Sequence, residues 1–370
     1  MNTSLITNIK NSFITKFKSD PIMIFSPGRI NIIGEHTDYN DGFVFPAAVN
    51  KGIVAAIGKS DSSISTAYAV DKQDTIEFSL NNMNPLAQGS WQNYILGVVS
   101  EIQNRSKTIG NFNIAFGGDI PGGAGMSSSA ALENSVVFGL NELFNLGLTK
   151  HEMILISQKA EHNYVGVKCG IMDQYASMFG IENNALLLDC RTIESKSYEI
   201  DFQDHQLMLI NTNVKHSLSD SAYNDRRSAC ENISELLGIS ALRDAIETDL
   251  EAVKDKVTPE NYQKALYVIQ ENNRVLKASK AIEDNDLEAL GALIYQSHNG
   301  LQHQYKVSCD ELDFLVDQAK ANNHILGARM MGGGFGGCTI NLVARDQAKS
   351  FGDSTSKAYQ KQFNKACSVY

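Results

Sequence analysis

The chain has 370 residues, 43% of them hydrophobic, with 42 acidic against 32 basic residues and a net charge of -10. That length suits two closely apposed domains with packed cores, and the acidic balance excludes a surface for nucleic acid or anionic membrane, which needs clustered Lys and Arg. Apolar runs are short and broken, so no membrane span is expected, and six scattered cysteines without a Cys-x-x-Cys pair or an export signal point to reduced thiols in the cytoplasm.

In chain order, Leu5, Ile6, Ile9, Phe13, Ile14 and Phe17 recur at helical spacing and predict an amphipathic helix over residues 1–17. Strands are expected at 53–57, 64–70 and 75–80, and the alternation of Phe112, Ile114 and Phe116 predicts another that leads into a glycine turn. Helices follow at 127–144 and 150–164, then short strands at 185–188 and 206–211. A mostly helical stretch runs over 219–321, strands return at 325–330 and 339–343, and a polar helix ends the chain. This alternation is α+β, with an N-terminal domain over 1–190 and a C-terminal domain over 191–370.

Five segments carry chemistry. Ser26-Pro27-Gly28-Arg29-Ile30-Asn31-Ile32-Ile33-Gly34-Glu35-His36-Thr37-Asp38-Tyr39-Asn40-Asp41-Gly42 puts one cation, three carboxylates and one imidazole between glycines. Carboxylates accept from adjacent hydroxyls, as a sugar presents them; Asn40-Asp41-Gly42 alone also reads as a turn. Pro121-Gly122-Gly123-Ala124-Gly125-Met126-Ser127-Ser128-Ser129-Ala130-Ala131-Leu132 joins a glycine turn to a helix N-terminus, where unpaired N–H groups and the dipole favour a phosphate chain. Its spacing is neither a Walker loop nor a dinucleotide fingerprint, and an ordinary serine-capped helix entry is the plain alternative. Glu161-His162-Asn163-Tyr164 and Cys169-Gly170-Ile171-Met172-Asp173-Gln174-Tyr175 read, on local pattern alone, as an exposed helix end and a helix N-terminal acid; the functional reading makes Asp173 a general base and Glu161 a magnesium ligand. Met331-Gly332-Gly333-Gly334-Phe335-Gly336-Gly337-Cys338 holds more glycines than a strand turn needs, which points to close approach to a ligand or to the first glycine loop.

Together these segments resemble the small-molecule kinases named for galactokinase, homoserine kinase, mevalonate kinase and phosphomevalonate kinase. Residues 28–40 are similar to the more specific galactokinase signature, 121–132 to the shared phosphate loop and 332–338 to the third motif. Asn211-Thr212-Asn213-Val214-Lys215-His216, Tyr223-Asn224-Asp225-Arg226-Arg227 and Val307-Ser308-Cys309-Asp310-Glu311-Leu312-Asp313 match in the same order. The resemblance implies an N-terminal domain of the ribosomal-protein-S5 type and a ferredoxin-like C-terminal domain with extra helices. It implies ATP and Mg²⁺ as cofactors and D-galactose as the substrate phosphorylated at O1, by a monomer. Asp173 would accept the proton of the anomeric hydroxyl and Arg29 would stabilise the transferring phosphoryl group. Glu35, His36, Asp38, Gly170, Asp173 and Tyr223 match sugar-binding positions. Gly122, Gly123, Ala124, Gly125, Met126, Ser127 and Ser128 would wrap the triphosphate, with Ser129 or Ser128 and Glu161 on the metal. Met126 stands where the family has leucine and Met331 where it has threonine; the first conserves volume, while the second removes a hydroxyl and bears on loop geometry. Kinases for N-acetylgalactosamine or L-arabinose and a non-catalytic galactose sensor are the alternatives. The sensors lack part of the serine-alanine run that is intact here at 127–131.

Overall fold

The computed structural model describes residues 2–215 and 219–370. Met1 and His216, which the sequence readings included, lie outside the described residues. The chain divides into two compact units, each discontinuous in sequence: residues 1–29, 48–121 and 127–180 form the first, and 30–47, 122–126 and 181–370 the second. The sequence reading instead drew one boundary after residue 190.

The first unit is built on a sheet of β1 (Ile22–Asn31), β3 (Pro46–Lys59), β6 (Phe112–Gly118), β4 (Ser65–Ala69) and β5 (Asp74–Phe78), in that spatial order. Strand alternation sorts β3 between two layers. Val54 and Ala56 pack with Ile9 and Phe13 of α1 (Thr3–Phe17), whereas Ile53, Ala55 and Ile57 face α2 (Gln92–Asn104), α3 (Ser128–Phe144) and α4 (Lys150–Ala160). The amphipathic helix expected at the N-terminus therefore covers one face of this sheet. α4 starts at a reciprocal cap, in which Thr149 Oγ1 accepts from Glu152 N–H and Glu152 Oε2 accepts from Thr149 N–H. α5 (Met172–Phe179) completes the unit.

In the second unit, β10 (Ile325–Met331), β11 (Gly336–Ala344), β9 (His205–Lys215) and β12 (Ser368–Val369) form an antiparallel sheet. α10 (Asp310–Lys320) and α11 (Ala348–Phe363) pack on it through Leu315, Val316, Phe351 and Tyr359. A second core joins α6 (Ser219–Leu237), α8 (Pro259–Glu283) and α9 (Leu287–His303) around Tyr267, Leu301 and Tyr305. Between α6 and α8 lies the short α7 (Glu247–Ala252), and a smaller sheet pairs β2 (Phe43–Val44), β7 (Asn184–Asp189) and β8 (Glu194–Glu199).

α9 runs against β10 with almost no space between backbones. A Cβ on Gly291 would fall 2.2 Å from the Leu326 carbonyl oxygen, a backbone atom that cannot step aside. Gly291→Ala should therefore lower stability by about 1–3 kcal/mol through overpacking. An unchanged urea midpoint would contradict this close approach.

Candidate active site

Arg29 lies near the end of β1 and is 4% exposed; Asp173 lies in the first turn of α5 and is 25% exposed. Arg29 Nε donates to Asp173 Oδ1 at 2.8 Å, and Ser127 Oγ donates to Oδ2 at 2.5 Å. Ser127 precedes α3 in the left-handed region, at φ 56°, which is uncommon for a residue with a Cβ. It makes no side-chain cap to the helix; its hydroxyl serves Asp173 instead. The first-turn N–H groups of α3 are thus left for another acceptor, with Ser128 exposed among them. Gly170, just before α5, is buried.

The local reading of Glu161 as an exposed helix end is overturned. Glu161 opens a π turn over Glu161–Val165 directly after α4 and is 8% exposed. Its carboxylate is hydrogen-bonded by Ser129, Cys169 and Gln174, yet burial and then the charge of Asp173 push its pKa up to about 7. Glu133, which sequence reasoning missed, is fully buried on α3, one turn beyond Ser129. Its Oε2 accepts from Gln174 Nε2 at 3.4 Å, the same amide that donates to Glu161 Oε2 at 3.1 Å, and its Oε1 has no hydrogen-bond partner among the described residues. Burial and the neighbouring Glu161 push the Glu133 carboxyl well above the usual range. Ser129 and Glu161 offer hard oxygen donors of the kind magnesium takes, and the orphaned Glu133 oxygen beside them adds to the fit. Among the described residues no group of three or more His, Cys, Asp or Glu is placed to hold a metal alone. Magnesium bound by one or two side chains plus phosphates and water needs no such group.

A carboxyl whose pKa rises from 4.5 unfolded to about 7 folded contributes stability below 4.5 that is lost as pH climbs to about 7. Glu161→Gln lacks that titration. Without metal, the variant should gain on wild type between pH 5 and pH 8, by up to about 3 kcal/mol at the upper end. Denaturation curves at the two pH values check this; an equal difference at both would show that Glu161 ionises normally.

In the second unit the signature segment is pinned by a residue the sequence reading did not single out. Arg329, on β10, has no exposed surface and donates to the carbonyls of Ile32 at 2.8 Å and Met330 at 2.5 Å, to Asn31 O, and to Glu35 Oε1 at 3.2 Å. Glu35 Oε1 also accepts from Gly332 N–H at 2.8 Å. Glu271, also fully buried, accepts from Gly34 N–H at 3.0 Å and from Ser297 Oγ at 2.6 Å. Gly34 is required at φ 100°, where a Cβ would meet Val275 and Phe43. His36 follows at φ 64°, its ring centroid 5.3 Å from that of Tyr223 and 4.9 Å from that of Tyr305. Asp38 begins a one-turn 3₁₀ segment and is 9% exposed.

The third glycine motif is the hairpin connection between β10 and β11, closed by the Met331–Cys338 pair. It is also the close approach that its glycine content implied. A Cβ on Gly125 would lie 3.1 Å from Met331 O, and one on Gly337 would lie 3.3 Å from Gly123 O. Residues Gly122 to Met126 of the phosphate loop thus rest backbone to backbone on this hairpin, with Gly122 and Gly123 exposed and Ala124 buried. The two methionines that depart from the family pattern are both buried, Met126 at 3% and Met331 at 1% exposure, so their side chains are absorbed by the core.

Comparison with known proteins identifies the family. Residues 11–59 match the galactokinase galactose-binding signature, 93–181 the GHMP kinase N-terminal domain and 278–361 the GHMP kinase C-terminal domain. The chain is 40% identical to the galactokinase of Clostridium beijerinckii over 99% of its own length and 96% of that protein's. With the galactokinase of Thermotoga petrophila it shares 40% identity over 91% of this chain and 94% of that protein. The crystal structure of Lactococcus lactis galactokinase complexed with galactose superposes with a TM-score of 0.93 at 33% identity, covering 98% of this chain and 96% of that one. Methanococcus jannaschii mevalonate kinase shares the fold, with a TM-score of 0.63 at 18% identity over 95% of this chain and 98% of that one. The architecture is the two-domain α+β fold of small-molecule kinases, and the chain belongs to the galactokinase family within the GHMP kinases, enzymes that use ATP as a substrate.

Proposed function

We propose that this chain transfers the γ-phosphoryl group of ATP to O1 of D-galactose, giving galactose 1-phosphate and ADP. The observation that carries the chemistry is the Asp173 carboxylate held between Arg29 and Ser127, residues 144 and 46 positions away in sequence. Oδ1 accepts from the guanidinium and Oδ2 from the Ser127 hydroxyl; the carboxylate keeps a lone pair to receive the anomeric proton, and the sugar oxygen that loses it attacks the γ-phosphorus. The anomeric hydroxyl is more acidic than an ordinary alcohol, which eases this step. Arg29 stands beside the forming bond, where its positive charge stabilises the phosphoryl oxygens; charge stabilisation and positioning carry most phosphoryl transfers.

Ser127, Ser128 and the backbone of Gly122, Gly123, Ala124, Gly125 and Met126 would hold the triphosphate. Ser129 and Glu161 would hold Mg²⁺, which neutralises phosphate charge when bound. On the sugar, Glu35 Oε2 and Asp38 are acceptors for hydroxyls, with His36, Gly170 and Tyr223 completing the set that the family signature implies. An acceptor left unpaired by an epimeric hydroxyl costs about 1–3 kcal/mol, and each 1.4 kcal/mol is tenfold, so glucose should be a poorer substrate by about tenfold or more. We place the enzyme in the cytoplasm as a monomer. The six scattered cysteines without a Cys-x-x-Cys pair support the compartment, and no helix among the described residues is long and apolar enough to cross a membrane.

Asp173→Asn keeps the shape of the side chain but cannot take the proton. It should lower kcat by about 10²–10⁴ while ATP and galactose still bind. Turnover near the wild-type rate in an ADP-release assay would remove Asp173 from the base role.

A further inference from the structure

The first turn of α5 faces two ways. Successive helical residues point about 100° apart, so Asp173 reaches Arg29 and Ser127 while Gln174, the next residue, turns toward α3 and the π turn that follows α4. Gln174 has no exposed surface, and its backbone is tied to α3 by Asn134 Nδ2, which donates to Gln174 O at 2.9 Å. The side-chain Nε2 donates to Glu161 Oε2 at 3.1 Å, to Glu133 Oε2 at 3.4 Å and to Cys169 Sγ at 3.8 Å. Turned over, the amide would set its oxygen against the Glu161 acceptor instead of donating to it, so the network fixes one orientation. The amide oxygen, Oε1, is buried and has no partner among the described residues. An apolar side chain of the same length would fill the space without the cost of an unpaired acceptor, so packing alone does not account for a glutamine here.

What the donor holds is Glu161, at the point where α4 widens into a π turn, a local irregularity of the kind found at functional sites. A donor fixed on one oxygen limits the rotation of a carboxylate and so sets where its other oxygen points. Partners that orient a metal-ligating carboxylate in this way typically govern affinity by about 10–100-fold. We propose that Gln174 is a positioning residue for the cation site: its amide aims the Glu161 carboxylate, and Glu133, the second acceptor on the same nitrogen, anchors the amide against α3. One turn of α5 then carries both the base, Asp173, and the clamp on the metal ligand. The proposal rests on the assignment of Mg²⁺ to Glu161 and Ser129 above and needs no particular sugar.

The test reads cation binding with no sugar and no turnover: Mn²⁺ is titrated into enzyme carrying stoichiometric ADP, and free Mn²⁺ is followed by EPR. Gln174→Met keeps the length of the side chain and removes the donor; it should raise the Mn²⁺ dissociation constant about tenfold to hundredfold. ADP affinity measured in EDTA should stay at the wild-type value, which a general loosening of the fold would not spare. Glu133→Met should raise the Mn²⁺ constant less, about threefold, and supplies the reading if Gln174→Met does not fold. Glu161→Gln reports on the metal site itself. Weakened Mn²⁺ binding in Glu161→Gln with wild-type binding in the folded Gln174 or Glu133 variant would overturn the positioning role and leave the metal site standing. Wild-type Mn²⁺ binding in Glu161→Gln would remove the cation from Glu161 and overturn both.

Discussion

A guanidinium sealed away from water decides where the signature segment of this protein runs. Arg329 is fully buried, and its donors are met by three backbone carbonyls and the Glu35 carboxylate. An uncompensated buried charge costs several kcal/mol, and removing one partner of such a pair typically costs about 3–5 kcal/mol. The loop carrying Glu35, His36 and Asp38 is therefore held by a charge that has nowhere else to go. Because Glu35 spends Oε1 on Arg329 and on Gly332 N–H, the same interaction orients Oε2 and fastens the third glycine hairpin. The phosphate-loop glycines resting on that hairpin inherit its position.

The first unit shows a different constraint, three acidic side chains near one another. Asp173 is compensated by Arg29, but Glu133 and Glu161 share one amide and both have raised pKa values, Glu133 through burial and the charge of Glu161, Glu161 through burial and the charge of Asp173. A stable core would not choose this arrangement. Clustered, desolvated carboxylates are a signature of functional sites, and a divalent cation with its phosphates would relieve the charge that folding alone leaves in place.

Much of this was legible in the residues. The alternation of Phe112, Ile114 and Phe116 located β6, and the excess of glycines at 332–337 signalled a backbone contact that is present. β1 was missed because Pro27 and Gly28 interrupt it, which an edge strand tolerates. β8 is polar and exposed at all but Tyr198, so it carries no alternation, and α2 contains the run Tyr94 to Val99, which has no polar face to betray a helix. In the site, the family resemblance named Arg29 and Asp173, but their pairing across 144 residues is a tertiary fact. Arg329 and Glu133 were visible only as charges in apolar surroundings, and a lone charge in a strand or helix says nothing about its partner until the fold brings one. The unit division was not legible either, because residues 30–47 and 122–126 leave their sequence neighbours to pack with the second unit.

The account stands on one chemical event, transfer of phosphate to the anomeric oxygen of galactose. Its most direct test is ³¹P and ¹H NMR of the product made from ATP, Mg²⁺ and a panel of galactose, glucose, N-acetylgalactosamine and L-arabinose. The account predicts that galactose is consumed fastest and that the new phosphorus couples to the anomeric proton. A product phosphorylated at O6, or preferential consumption of another sugar on the panel, would contradict it.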